Sequence, residues 1–413
     1  MSSLGVVRGG ALAAVLLASL AAPALLASAA GTSAQPPTVE ELRLDRAVPQ
    51  EILRRSGFDS VAPDFARALE RARSYAQAER IVRREGTALW ERAVDRAQGR
   101  GPAGGDLSRD DDRPLYWARL GMTRDVRAWE PGFTLTGEGR AALLGLLERT
   151  SRGQDGIRYP KGEGTARVLL TGFDPFTLDR DIRISNPSGA SALALDGTVI
   201  ETADGPARVE TAVFPVRWAD FAEGTVERTL RPHLAKLDLF ATVSQGRPGR
   251  FDIERTNGAW RGGSGDNLNT GTAGTVPVTD PGSQPQWTST TLPYEAITAT
   301  PTGRFPVLDN TSVTEIPAGE TLPVVRPDGP TPGSVARSGG GGNYLSNEIA
   351  YRATLLRDRL GLAGELPGGH VHTPVLEFGA GNTTEVTDPV FVRNRLDIVA
   401  QVRVIVGVGV GVG

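Results

Sequence analysis

Very few side chains in this chain can do acid–base or nucleophilic chemistry near neutral pH. It has three histidines and no cysteine. Two of the histidines, His370 and His372, share the segment Gly368-Gly369-His370-Val371-His372-Thr373-Pro374. On a strand, residues two apart point to the same face. Such a pair could hold a metal, but no third ligand is evident and no His-Glu-x-x-His pattern exists. No metal and no cofactor is therefore expected. A nucleophile–imidazole–carboxylate arrangement fits these residues better. It needs a hydroxyl or thiol, an imidazole to take its proton, and an acid to hold the imidazole tautomer. Ser346, His372 and Glu254 could supply the three parts. Serines and acids are common, so residue types alone leave this one candidate among several. His233 follows Pro232 in a charged helical stretch and reads as structural or solvated. Asp110-Asp111-Asp112 lacks the flanks of a calcium loop and reads as a solvated loop beside a helix start.

The elements that must position these groups fall into two regions. Residues 38–150 read as helical. Phe65, Leu69, Ala72, Tyr75 and Ala76 have helical spacing in a long stretch starting at Pro63-Asp64, which Gly99 to Pro102 stops. The second region opens near Gly164. Val168-Leu169-Leu170 and the run Leu237 to Ser244 are short and apolar, like buried strands, and end in Thr171-Gly172 and Gln245-Gly246. Trp218 to Leu237 between them has helical spacing. Strand, helix and strand imply a βαβ unit and a partly parallel sheet, with ligands beyond the strand C-termini. Residues 262–343 are rich in Gly, Pro, Thr and Ser and read as long loops with one ordered element, Thr291 to Thr298. Gly339 to Gly342 would let the backbone approach a ligand closely, and Tyr344 to Tyr351 reads as the opening of a helix. The tail from Val408 to Gly413 alternates valine and glycine, as an edge strand or frayed end would.

Composition limits the rest. A length of 413 residues suits two domains or one large one, and 39% hydrophobic content supports a real core. A net charge of −3 gives no broad pull toward nucleic acid or anionic membranes. Arg8, an apolar run from Ala11 to Leu26 and Ala27-Ser28-Ala29 have the layout of a cleavable signal peptide, so a secreted, extracellular protein is expected, off the membrane after cleavage. Export also makes the absence of an oxidisable thiol reasonable.

Several motifs, in order, resemble the pyroglutamyl peptidase I (pyrrolidone-carboxylate peptidase) family. Val168-Leu169-Leu170-Thr171-Gly172-Phe173-Asp174-Pro175-Phe176 is similar to its opening strand and loop, and Asn186-Pro187-Ser188 to the Asn-Pro-Ser that follows. Val243-Ser244-Gln245-Gly246 and Gly249 to Arg255 resemble the segment with its catalytic glutamate. Asp266-Asn267, Thr291-Leu292-Pro293, Ser338 through Asn347 and His370 through Pro374 resemble later motifs. The resemblance covers about residues 164 to 375. It implies an α/β/α sandwich and a Cys-His-Glu triad whose positions fall here on Ser346, His372 and Glu254. It implies a lactam-ring pocket walled by Phe173 and Phe176, with Asn186 and Gln245 at its polar positions. The implied substrate is a peptide with an N-terminal pyroglutamate.

The departures are specific. Serine replaces cysteine, and a hydroxyl must lose its proton as it attacks, whereas a thiolate can be stored. Arg261 is out of register with an arginine near the family's Asp-Asn. Four glycines and Asn343 replace an Ala-Gly-Thr context. Residues 299–335 are an insertion, and the helical region 38–150 has no counterpart in compact family members. The expected organisation is a signal peptide at 1–29, a helical region at 30–160 and an α/β domain at 161–413. The expected function is removal of N-terminal pyroglutamate by a Ser-His-Glu hydrolase. The alternative is a non-catalytic relative that binds pyroglutamyl or similar peptide ends.

Overall fold

A computed structural model of the chain describes residues 34–160 and 164–411. The signal peptide expected at 1–29 lies outside the described residues.

Six helices come first: α1 (Val39–Leu42), α2 (Ala47–Ser56), α3 (Val61–Glu70), α4 (Tyr75–Ala97), α5 (Arg113–Ala128) and α6 (Gly137–Thr150). Their starts are written locally. Thr38 and Glu41 form a reciprocal capping box on α1, and Ser74 and Thr136 cap α4 and α6. The stretch read as continuous from Pro63 is two helices, because the chain turns after Arg71 and Ser74 restarts it.

The second region begins with β1 (Ala166–Phe173), α7 (Pro187–Leu195), β2 (Thr198–Thr202), β3 (Gly205–Phe214), α8 (Trp218–Ala222), α9 (Thr225–Leu230), β4 (Leu239–Gln245) and β5 (Phe251–Glu254). Short strands β6 (Thr256–Gly258), β7 (Trp260–Arg261), β8 (Gly274–Thr275) and β9 (Trp287–Ser289) lead to α10 (Tyr294–Ala299). Then come β10 (Val307–Asn310), β11 (Val313–Ile316), β12 (Val324–Arg326), β13 (Val335–Ser338), α11 (Leu345–Arg359), β14 (Gly368–Thr373) and α12 (Pro389–Val410).

Seven strands form one sheet in the order β10-β5-β14-β4-β1-β3-β2. β1 runs parallel to both β3 and β4, and β4 parallel to β14, while β5 runs against β14. The fold is thus a mixed α/β layer structure with a mostly parallel sheet and a helical region before it. One face packs Val168, Leu170, Leu239 and Val371 against Ile398, Val402 and Ile405 of α12. The other packs Leu169, Phe214 and Phe240 against Phe221, Leu230, Ile349 and Ala353 of α8, α9 and α11. The N-terminal helices share a core with Ala192, Leu193 and Val213 of the α/β region. Among the described residues no helix is long and apolar enough to cross a membrane.

Three expectations are corrected. Asp110-Asp111-Asp112 is buried rather than solvated. Arg395 Nε donates to Asp110 at 2.7 Å, Arg113 pairs with Asp111 at 2.5 Å, and Asp112 accepts from Asn186 N at 2.9 Å. Burying three carboxylates requires such partners. As far as Val410 the tail is the end of α12, not a strand. Ile398, Val402, Ile405, Val406 and Gly409 are buried at helical spacing, and a Cβ on Gly409 would come within 3.0 Å of Leu239 Cδ1. The Val-Gly alternation reflects close packing on the sheet, not a strand period. Residues 262–343 hold more than the one ordered element expected between their long loops: β11, β12 and β13 form a small antiparallel sheet, and β10 extends the main one.

Candidate active site

The candidate groups lie at strand ends and at one helix start. His372 sits near the end of β14, and β5 beside it carries Glu254 opposite His370. The diagonal reach across this pair brings Glu254 Oε1 to His372 Nδ1 at 2.6 Å. Glu254 Oε2 accepts from Asn310 Nδ2 at 2.6 Å, so both carboxylate oxygens are held. Asn310 Nδ2 also donates to Gly340 O at 3.2 Å. Glu254 is 1% exposed. A buried, hydrogen-bonded carboxylate on Nδ1 leaves Nε2 as the working nitrogen.

His370 has a different task. Its Nδ1 lies 2.8 Å from Thr242 Oγ1 and its Nε2 2.8 Å from Ser244 Oγ. Burial, and then neighbouring His372, push its pKa well below the usual histidine value. It is a neutral ring that backs His372 edge-on at 4.7 Å, and neither nitrogen is left for a metal.

Ser346 lies in the first turn of α11. Asn347 pins that turn: its Oδ1 accepts from Gly258 N, and its Nδ2 donates to Gly258 O and Trp260 O, each at 2.9 Å. The first N–H groups of a helix have no partner within it, so α11 offers donors beside Ser346. The glycine run is needed for contact. A Cβ on Gly340 would sit 2.2 Å from Glu254 Oε2, and one on Gly339 2.1 Å from Asn347 Oδ1. A Cβ on Gly246 would meet His372 Cβ at 2.6 Å. Gly342 has φ +84°, which favours glycine. Among the described residues Ser346 Oγ makes no hydrogen bond to His372.

Two cavities meet at Ser346. One, of about 330 Å³, is lined by Ser346, His372, Glu254, Gly340 to Gly342, Gln245, Arg247, Tyr344 and the Phe176-Thr177 loop. Thr177 holds φ 58°, a conformation that costs a β-branched residue energy and tends to persist at functional sites. The other is a small pocket lined by Phe173, Phe176, Asn186, Val216, Ser244, Gln245, Tyr344, Leu345 and Ser346. Its free space is about 10 Å³, room for about one water.

All four expected pocket residues therefore line one wall with Ser346, in different capacities. Phe173 is 3% exposed and stacks on Phe221 at 6.0 Å, so it also belongs to the core. Asn186 caps α7: its Oδ1 accepts from Ser188 N, and its Nδ2 donates to Asp174 O. It shapes the wall with its hydrogen bonds largely spent. Gln245 is half-buried, and among the described residues its amide makes no hydrogen bond, leaving it open to a ligand. Arg261 lines neither cavity; it lies 3.6 Å from buried Glu348 and over Trp218.

Sequence reasoning missed two residues. Tyr344, stacked on Phe176 at 6.2 Å and edge-on to Trp218 at 5.0 Å, walls both cavities. Its place two residues before Ser346 was the available signal. Asn310 lies in the segment read as an insertion, where nothing in the sequence ties it to Glu254.

Comparison with known proteins gives two kinds of match. Residues 21–148 match the family described as PA0049 N-terminal domain, and residues 167–279 and 304–377 match PA0049, C-terminal domain. The chain is 34% identical to uncharacterized protein PA0049 of Pseudomonas aeruginosa, over 90% of this chain and 88% of that one. Among solved structures, pyrrolidone carboxyl peptidase from Pyrococcus furiosus is 23% identical, covering 59% of this chain and 97% of its own, with a TM-score of 0.40. Pyroglutamyl peptidase I from Bacillus amyloliquefaciens is 18% identical over 59% of this chain and 97% of its own, with a TM-score of 0.39. Both halves of the family description, and a relative aligned along nearly the whole length, place the chain in one family: it belongs to the PA0049 family.

Proposed function

We propose that this is an exported hydrolase that removes N-terminal pyroglutamate from peptides, with Ser346 as nucleophile, His372 as general base and then acid, and Glu254 as the group that orients His372. The observation that carries the reading is the 2.6 Å contact between Glu254 Oε1 and His372 Nδ1 on the wall of the cavity that Ser346 also lines.

The chemistry follows from these positions. As Ser346 Oγ attacks the pyroglutamyl carbonyl, His372 Nε2 takes its proton, and the imidazolium is stabilised by Glu254. The oxyanion faces the free N–H groups at the start of α11, each such donor being worth about 3 kcal/mol. His372 returns the proton to the leaving amine as the C–N bond breaks. Water then attacks the pyroglutamyl ester, gives its proton to His372, and frees the acid and Ser346. Phe173, Phe176 and Tyr344 supply flat apolar walls for the ring, and Gln245 a free amide for its C=O or N–H.

The test is release of a fluorophore from a pyroglutamyl amide by the mature protein, with Ser346→Ala and Ser346→Cys alongside. Activity that disappears in the alanine variant supports the hydrolase. If Ser346→Ala and His372→Ala both cleave as well as the parent, the triad is wrong.

A second reading, a binder of pyroglutamyl peptide ends, is favoured by one observation: His372 is held by Glu254 while Ser346 Oγ is not engaged with it. It predicts saturable binding with no product. Phe173→Ala weakens that binding; an unchanged affinity would remove the pocket assignment.

A further inference from the structure

The larger cavity contains one charged group that the proposed chemistry does not use. Glu254 has both oxygens occupied, by His372 and Asn310, and His372 has Nδ1 occupied by Glu254. Arg247 lines the same cavity and its side chain is 54% exposed. Among the described residues its guanidinium makes no hydrogen bond. Its ion pair is a loose 3.6 Å to Asp252 Oδ2, and Asp252 is already held by Arg250 at 3.0 Å. Asp252 thus does not depend on Arg247 for a partner.

The backbone that carries Arg247 is fixed. Gly246 N donates to Thr373 O at 2.9 Å, Val375 N donates to Arg247 O at 3.2 Å, and Gly246 abuts His372. A cation on a rigid platform next to His372 therefore lines the larger cavity with Ser346, outside the small pocket that Phe173 and Asn186 help to wall. That is where the leaving portion of a peptide would sit. A guanidinium fork is matched to a carboxylate, which it binds through two parallel hydrogen bonds. In a dipeptide the α-carboxylate follows the scissile amide by a single residue, about 3.8 Å of chain. A cavity of about 330 Å³ is at the small end of the usual ligand range of roughly 300–1,000 Å³.

We propose that Arg247 binds the free α-carboxylate of a pyroglutamyl dipeptide, so that this site selects short peptides with a free acid terminus over amidated or longer ones. This rests on reading the cavity as the peptide site.

The experiment is calorimetric binding of pyroglutamyl-alanine and of pyroglutamyl-alanine amide to the full-length Ser346→Ala protein, which cannot consume them through that serine. Turnover by the parent protein is measured separately and scores the hydrolase reading alone. The acid is expected to bind about ten-fold tighter than the amide, as a charge-assisted pair at a partly exposed site allows. Adding Arg247→Gln brings the acid down to the affinity of the amide, while Arg247→Lys keeps part of the preference and controls for local disruption. Raising the salt concentration narrows the gap between acid and amide. Equal affinities for the two ligands, a proportional loss of both in Arg247→Gln, or no binding of either would overturn the proposal.

Discussion

Asn310 Nδ2 donates to Glu254 Oε2 at 2.6 Å, across the parallel pair at the edge of the main sheet. The residue that completes the candidate acid therefore comes from a segment that reads as an insertion. Removing one partner of a hydrogen bond to a buried charge costs about 1.5–3 kcal/mol. Asn310→Ala is expected to lower kcat about ten-fold or more with the fold retained by circular dichroism. Asn310→Asp puts a second carboxylate against Glu254. The donor to Glu254 is then replaced by a like charge, so kcat should fall at least as far as in the alanine variant. An alanine variant with parental kcat and pH profile would reduce Asn310 to a packing role.

The Gly340 contact makes a sharper prediction. A methyl there would lie 2.2 Å from Glu254 Oε2, so either the carboxylate or the glycine run must move. Gly340 N also donates to Thr256 O at 2.8 Å, which resists backbone movement. Gly340→Ala should therefore lose activity at least 100-fold, since a misplacement of about 1 Å is enough for such a loss. Parental activity in this variant would show that the Glu254 contact is not required.

How much of this was legible beforehand depends on what each signal encodes. Val168 to Leu170 and Leu237 to Ser244 were readable as strands because both faces of β1 and β4 are buried, which leaves apolar runs. Ser346, His372 and Glu254 stood out by motif order. The contact of Glu254 with His372 arises from the antiparallel placement of β5 against β14, and no local pattern encodes that pairing. β2 and β3 were missed between Asn186 and Trp218, where Glu201, Asp204, Arg208 and Glu210 interrupt the apolar pattern. The acidic run at Asp110 misled because two of its three residues have partners distant in sequence: Arg395 lies 285 residues from Asp110 and Asn186 74 residues from Asp112.

Asp112 gives a prediction on pH. Burial, then the charge of neighbouring Asp111, push its pKa up to about 7 from the usual 3.8. In the unfolded chain it ionises near pH 4, while the folded chain keeps the proton until about pH 7. Folded protein therefore binds more protons across this window, and stability falls as pH rises from about 4 to about 7. Asp112→Asn mimics the protonated side chain, which can still accept from Asn186 N. Urea unfolding at pH 5 and pH 8 should show a loss on the order of 2 kcal/mol in the parent that is absent in the variant, at about 1.4 kcal/mol per unit. The same loss in both proteins would mean that Asp112 is ionised when folded.

The helical region and the pocket loop share buried charge. Asp174, directly after Phe173, accepts from Arg119 of α5 and lies 2.7 Å from Arg152 Nη2; both arginines are within 1% of complete burial. Arg152 also pairs with Glu148, and Arg217 bridges Glu148 and Glu40 at 3.1 and 3.3 Å. Glu40 in turn accepts from Asn267 Nδ2 at 3.1 Å, and Asn267 donates to Pro175 O in the loop at 2.9 Å. The loop holding Phe173 and Phe176 is thus tied to the helices through buried ion pairs and hydrogen bonds. Asp174→Asn leaves buried Arg119 facing a neutral amide and Arg152 with Glu148 alone, and breaking such a buried pair costs about 3–5 kcal/mol. Because the apolar core also runs between the regions, the variant should unfold in one transition at lower urea, with tryptophan fluorescence and far-ultraviolet dichroism moving together. A transition that splits in two, with the α/β signal left where the parent has it, would show that the helices are an independent unit and that the pocket loop does not rely on them.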